Sequence, residues 1–358
     1  MKQRRNSKLA IFLVGVLTCA LCAGAALQGK GANEKLLTAI RNADLLAASA
    51  LLSLPSGGAD ANAKDDDDLT ALMYAAMYAG ADCVELLLAQ GADPNAKSKS
   101  DVTALMLAVG QTDKVRLLLS KGAEVNAKSK QGHTALSIAA GRASGSEESA
   151  EVVRMLLDNG ADLTAGNILG AAARSGDIKV AQLLLERGAD PNDRNNVGGP
   201  PPMSAKRASE RQKTGGAPFM PPLLGPFGNT GATPLMYAAL AGNTEVIKLL
   251  LGRGADVNAR DSGAGAALIL AAAMGDRGTV KLLLKKGTEV NVRNEHGYTA
   301  LMCAAAAESN DPELIKNLLA RKAETNVKAK DGETALKLAG RKGNTEIVRL
   351  LKQAGAKE

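Results

Sequence analysis

The chain has 358 residues, 23% of them charged, a formal net charge of +7, two histidines and four cysteines. The surplus is local: Lys2, Arg4, Arg5 and Lys8 face no acid within residues 1–25, and Lys206, Arg207, Arg211 and Lys213 face only Glu210 within 195–229, which leaves the rest neutral. A neutral body without a basic stripe excludes binding to nucleic-acid phosphates as the main task, and the histidines and cysteines lack any spacing that suits zinc.

The first element is Met1–Ala25. A basic start (Lys2, Arg4, Arg5, Lys8) leads into an apolar run from Leu9 to Leu21 and then Ala23-Gly24-Ala25-Ala26. Basic, apolar and small-residue regions in that order read as a secretory signal, with cleavage expected after Ala25. The alternative is an uncleaved anchor, because Leu9 to Leu27 is an uncharged stretch close to the ~20 residues that cross a bilayer. The expected location is therefore the periplasm or the medium, or an outward-facing membrane anchor. Cys19 and Cys22 fall within this segment, and Leu21 stands where a lipoprotein signal wants a small residue.

From about residue 34 one unit recurs. Its front half reads Thr70-Ala71-Leu72-Met73, Thr103-Ala104-Leu105-Met106, Thr134-Ala135-Leu136, Thr233-Pro234-Leu235-Met236, Thr299-Ala300-Leu301-Met302 and Thr334-Ala335-Leu336. These threonines lie 33, 31, 99, 66 and 35 residues apart, and degenerate units at Asn167-Ile168-Leu169 and Ala266-Ala267-Leu268 fill the long gaps. The back half reads Leu249-Leu250-Leu251-Gly252-Arg253-Gly254-Ala255-Asp256-Val257-Asn258-Ala259 or close to it. Val246, Ile247 and Leu250 share one helical face, Gly254 suits the position just past a helix end, and Asp256 and Asn258 suit the turn after it. A period of ~33 residues with two helices marks a solenoid whose units fold only against their neighbours.

Period and motif together resemble the ankyrin repeat, over roughly 34–358. The resemblance implies an all-α solenoid of stacked helix–turn–helix units with short β-turn tips. It also implies a non-catalytic, protein-binding role, and similarity to bacterial, exported members points to a scaffold or accessory factor, in some relatives for oxidative-stress enzymes. A secreted effector acting on another cell is the alternative. The organisation expected is a signal over 1–25, repeats with a cap over 26–194, a Pro/Gly-rich insertion over 195–229, and repeats with a charged cap over 230–358. The histidine of the family's T-P-L-H is replaced throughout, by Met73, Met106, Ser137, Gly170, Met236, Ile269, Met302 and Lys337. Loss of its side-chain hydrogen bonding is expected, with a more apolar seam.

No constellation for catalysis, metal or cofactor emerges. His133 and His296 fall at turn tips five units apart, and no Gly-rich loop sits between a strand and a helix. Asp65-Asp66-Asp67-Asp68 fills one tip and reads as solvated acid rather than a cation loop. Cys83 and Cys303 are too many units apart to pair within one molecule. Partners of this family dock on the tips and on the concave face of the first helices. Here those positions include Met77, Tyr78, Gln111, Arg142, Arg174 and Met274 at first-helix ends, and Lys99, Lys130 and His296 at tips. The insertion adds Phe219 and Phe227 within Ala217-Pro218-Phe219-Met220-Pro221-Pro222-Leu223-Leu224-Gly225-Pro226-Phe227. It reads either as a cover over an apolar groove of the solenoid or as a partner-docking segment. No nucleic acid is expected as a partner, no membrane unless the anchor is retained, and the chain is expected to be a monomer.

Overall fold

The computed structural model describes residues 30–54, 58–142, 145–194, 231–263 and 265–357. The expected signal and insertion lie outside the described residues. Among the described residues the chain forms eighteen helices and no strand, only isolated bridges between Lys64 and Thr70 and between Arg293 and Thr299. They alternate as first and second helices of successive repeats. The first helices are α1 (Lys30–Arg41), α3 (Ala71–Tyr78), α5 (Ala104–Ala108), α7 (Ala135–Gly141), α9 (Ile168–Ser175), α11 (Pro234–Ala241), α13 (Ala267–Ala273), α15 (Ala300–Ala306) and α17 (Ala335–Arg341). The second helices are α2 (Leu45–Leu52), α4 (Ala81–Ala89), α6 (Thr112–Ser120), α8 (Glu147–Asp158), α10 (Ile178–Glu186), α12 (Thr244–Gly252), α14 (Arg277–Lys285), α16 (Pro312–Ala320) and α18 (Thr345–Gln353).

Two compact units result. One holds the described residues up to Ala139 with Glu151–Ala161, and the other holds Ala140–Ala150 and everything described from Asp162 onward. In the first unit α1, α3 and α5 form one row and α2, α4 and α6 a second. In the second unit α9, α11, α13, α15 and α17 form one row and α10, α12, α14, α16 and α18 the other. The packing of α9 on α11 carries the stack across residues 195–230, so the array continues in register on both sides of the insertion.

Each half of the motif has a separate task. The threonine of the front half caps its helix: Thr70, Thr103, Thr299 and Thr334 accept through Oγ1 from the N–H of Met73 (3.2 Å), Met106 (3.4 Å), Met302 (3.4 Å) and Lys337 (3.2 Å). Such a cap contributes about 1 kcal/mol. The expected loss of hydrogen bonding at the family's histidine position is corrected in part. The Sδ atoms of Met73 and Met302 accept from the N–H groups of Thr70 (3.5 Å) and Thr299 (3.4 Å), and Ser137 Oγ accepts from Thr134 N–H at 2.9 Å. A soft thioether reaches back one turn to the orphan N–H that a capping residue would satisfy. The paired alanines that follow (Ala75-Ala76, Ala238-Ala239, Ala271-Ala272, Ala304-Ala305) are fully buried or nearly so, which sets the close approach of neighbouring helices.

The back half builds the turn. Gly91, Gly122, Gly188, Gly254 and Gly287 follow their helices at φ between 81° and 93°, where a side chain would be strained. Asp93, Asp190 and Asp256 then accept from the N–H two residues on, at 2.8, 2.8 and 2.9 Å. The asparagine does not bond locally as its turn position suggests; it reaches the next repeat. Asn95 donates to Gly122 O (3.0 Å) and accepts from Glu124 N–H (2.7 Å), Asn192 does the same with Gly254 (3.0 Å) and Asp256 (2.8 Å), and Asn291 with Lys322 (3.2 Å) and Glu324 (2.8 Å). A side-chain amide matches one backbone acceptor and one donor at once, so one letter of the repeat stitches neighbours together.

Candidate functional site

The tips stack through their backbones. In the first unit Lys99 N–H donates to Asp67 O and Lys130 N–H to Ser100 O, both at 3.0 Å. In the second, Glu295 N–H donates to Gly263 O (2.7 Å) and Lys330 N–H to His296 O (2.9 Å). Within each tip one side chain organises the loop: Ser98 and Ser129 through Oγ, Asp65 and Asn294 through Oδ1. Lys99 and Lys130 thus have fixed backbones and exposed side chains on adjacent tips. His296 is half-exposed, with Nε2 3.5 Å from Glu295 Oε1.

The first-helix ends are less uniform. Tyr78 closes α3 with 58% of its surface exposed, and Met77 beside it is half-buried. Tyr78 stacks on Tyr74 at 6.2 Å between ring centres and 23° between planes, and the Arg41 guanidinium lies 4.2 Å from the Tyr74 ring centre. The Tyr74 hydroxyl donates to Asp65 Oδ2 at 2.6 Å and receives Arg41 Nη2. Burial pushes the Tyr74 hydroxyl up, and so does its bond to Asp65. Burial also works to raise the Asp65 carboxyl, but Tyr74, the N–H groups of Leu69 and Asp67, and the Arg41 charge together hold it below its ordinary value. The acidic run is therefore not one solvated tip: Asp66 and Asp67 are exposed, whereas Asp65 is committed to the fold. Among the described residues no group of three or more His, Cys, Asp or Glu side chains converges as a metal site.

In the second unit Arg142 is exposed, Met274 is half-buried at the end of α13, and Arg174 is half-buried at the end of α9. Burial lowers the Arg174 guanidinium below its usual value, and the hydroxyl of Tyr237 in the next repeat opposes that shift. Gln111 is exposed at the start of α6 in the first unit. Phe219 and Phe227 lie outside the described residues. The structure thus places Lys99 and Lys130 on neighbouring tips and pairs Met77 with Tyr78, and it tucks Arg174 into the seam between repeats.

Two arrangements were not foreseen from sequence. One is the Arg41–Tyr74–Asp65 lock that holds Tyr78 in place. The other is Lys114 in α6, whose surface is 0% exposed and whose Nζ donates to Ala75 O (3.1 Å) and Ala76 O (3.0 Å) at the end of α3. A cation there lies at the negative end of the helix dipole, and Ala75 O accepts from it in addition to the Ala79 N–H at 3.2 Å. Alignment of the second helices holds the signal: Cys83, Val246, Thr279, Leu314 and Ile347 stand at the same register, so a lysine there is out of place. Burial pushes the Lys114 ammonium down, and it pushes the Cys83 thiol in the preceding repeat up. Cys303, sealed inside α15, is pushed up to about 12 by burial, which makes it an inert thiol.

No curated protein matches the chain. The family model for ankyrin repeats (3 copies) matches at residues 36–129, 110–195, 219–261, 235–307 and 305–358. The family is non-catalytic, and its fold generally mediates protein–protein interaction as a scaffold. Capped first helices, Gly-turned second helices and asparagine stitches over most of its length make this chain a member of the ankyrin-repeat family.

Proposed function

We propose that the chain is an exported, non-catalytic scaffold that holds a protein partner against its turn tips and first-helix ends. The observation that carries this reading is Tyr78, a large aromatic ring more than half exposed yet held by its stack on the anchored Tyr74. A rigid aromatic loses little entropy on binding, and tyrosine is enriched at interface hot spots. Met77 and Gln111 complete the same neighbourhood, the side chains of Lys99 and Lys130 extend it along the tips, and Arg142, Arg174, Met274 and His296 offer equivalent positions in the second unit. Phe219 and Phe227 in the insertion supply further apolar contact. The segment Met1–Ala25 directs export, which places the work in the periplasm or at the cell exterior.

Affinity purification of the full chain from the exported fraction, followed by mass spectrometry, tests this. One specific protein should be recovered at physiological salt, and Tyr78→Ala should weaken its binding by about tenfold or more without moving the unfolding midpoint. Recovery of that protein undiminished by Tyr78→Ala removes this face from the interface. Release of the chain into the medium, with binding to a second cell, replaces the scaffold reading by that of a secreted effector.

A further inference from the structure

The outer face of the second helices follows a rule that α2 breaks. At the second and fifth positions of these helices stand Asp82 and Glu85, Asp113 and Arg116, Lys179 and Gln182, Glu245 and Lys248, Gly278 and Lys281, Glu313 and Lys316, and Glu346 and Arg349. Glu151 and Arg154 hold the same register in α8. Five of these pairs are bridged, at 3.2 Å in α6, 2.6 Å in α8, and 2.7 Å in α12, α16 and α18. In α2 the two positions are Leu46 and Ser49, and no residue of Leu45–Leu52 is charged. Leu46 is 60% exposed, with Leu45 and Ala50 half-exposed beside it. The last repeat of the array ends as an end repeat should, with Arg349 and Lys352 in water, whereas the first shows an apolar back.

We propose that this face of α2 rests on a lipid bilayer in which the leading apolar segment is retained. The inference builds on the reading of Met1–Ala25 as an export signal and adds that the segment stays attached. Leu9–Leu27 is an uncharged run that ends just before α1 begins at Lys30, so an anchor there would hold the first repeat at the surface. The cluster Lys2, Arg4, Arg5 and Lys8 stays on the inner side, which sends α1 and α2 outward. The patch is one leucine and its neighbours, far short of the ~800 Å² per partner that a stable dimer buries. A contact that small works when a tether supplies a high local concentration, and a bilayer is the partner to which this chain brings its own tether.

The test uses the full chain with Cys19→Ser and Cys22→Ser. Its intact mass shows whether residues 1–25 remain, and flotation with phosphatidylcholine/phosphatidylglycerol vesicles shows whether it is anchored. An environment-sensitive dye is then placed at Leu46→Cys or, in α18, at Glu346→Cys. The retained mass, co-flotation, a blue-shifted emission at position 46 and quenching there by brominated lipid are expected, with none of the last two at 346. Loss of residues 1–25 or failure to float removes the anchor and the proposal with it, while export itself still stands. Co-flotation without quenching at position 46 overturns the seated face alone, and disulfide coupling of two copies through Leu46→Cys without quenching assigns the face to a second copy.

Discussion

At the residue scale, the most informative side chain is the lysine that should not be inside. Lys114 has no carboxylate partner and is held by two carbonyls, 3.1 and 3.0 Å away. Its pKa is lowered by burial from the lysine value of 10.5, so between the folded and unfolded values the unfolded chain binds more protons. Stability from this group therefore rises as pH climbs through the folded pKa, and the rise is complete above the unfolded one. Urea unfolding of wild type and Lys114→Met at pH 7 and pH 10 should show the gap moving in favour of wild type at the higher pH. A constant gap would mean that the buried charge is not felt. Lys114→Ala, which removes both bonds and leaves a hole, should cost about 1–3 kcal/mol. The caps give a second contrast. Thr299 Oγ1 caps α15, whereas Thr233 Oγ1 is buried without a hydrogen-bond partner. Thr299→Val should cost about 1 kcal/mol, and Thr233→Val should be neutral or stabilising; equal losses by thermal unfolding would contradict this account of the capping threonine.

At the element scale, the repeat is held in two ways. Alanine pairs let helices of one row touch, and asparagines tie most turns to the next; after α8 Thr164 stands in the asparagine's place and bonds Asp162 in its own turn at 2.7 Å. Asn95 makes two bonds to the following repeat, at 3.0 and 2.7 Å, while Asp93 makes one bond within its own turn at 2.8 Å. Asn95→Ala should therefore cost more than Asp93→Ala, about 1–2 kcal/mol in denaturant unfolding at these part-solvated sites. The reverse order would show that local turn closure, not the stitch between repeats, governs stability. The helix types, the Gly-terminated ends and the alanine seam were legible because each follows from local periodicity and propensity. The reach of Asn258 into the next repeat was not, since a turn asparagine reads equally well as bonding its own backbone; its Oδ1 accepts from Glu289 N–H at 2.9 Å.

At the scale of the whole molecule, the insertion meets a continuous stack. Asn192 and Thr233 are 41 residues apart, against 8 between Asn62 and Thr70, yet α9 packs directly on α11. Asn243 clamps the same step, donating to Ala173 O (2.8 Å) and Arg174 O (3.0 Å). Deletion of 198–228 should leave the helical signal and cooperative unfolding in place. A shorter connection should add about 1 kcal/mol, from the logarithmic dependence of loop closure on length. Partner binding should fall, because Phe219 and Phe227 go with the segment. Loss of stability with binding intact would instead make the insertion a cover for its own repeats.

Sequence by itself determined the class of this protein. A 33-residue period, a capping threonine, a glycine past most of the second helices and an Asp-x-Asn turn are local signals, and most are followed where they are written; Lys322 takes the glycine's place after α16, at φ 64°, and Thr233 makes no side-chain cap. It also located the tips and first-helix ends, because their place within a repeat is fixed by register. Only the tertiary structure decided what those positions do. It showed that Asp65 belongs to the fold while its neighbours face water, that Arg174 is tucked beside Tyr237, and that Tyr78 stands out on a ring pinned by the preceding repeat. It also showed that Lys114 finds its partners 38 and 39 residues away. The contacts of Arg41 with Tyr74, Arg174 with Tyr237 and Lys114 with α3 run between repeats, and a pattern that repeats along the chain carries no record of which side chains meet across the gap between one copy and the next.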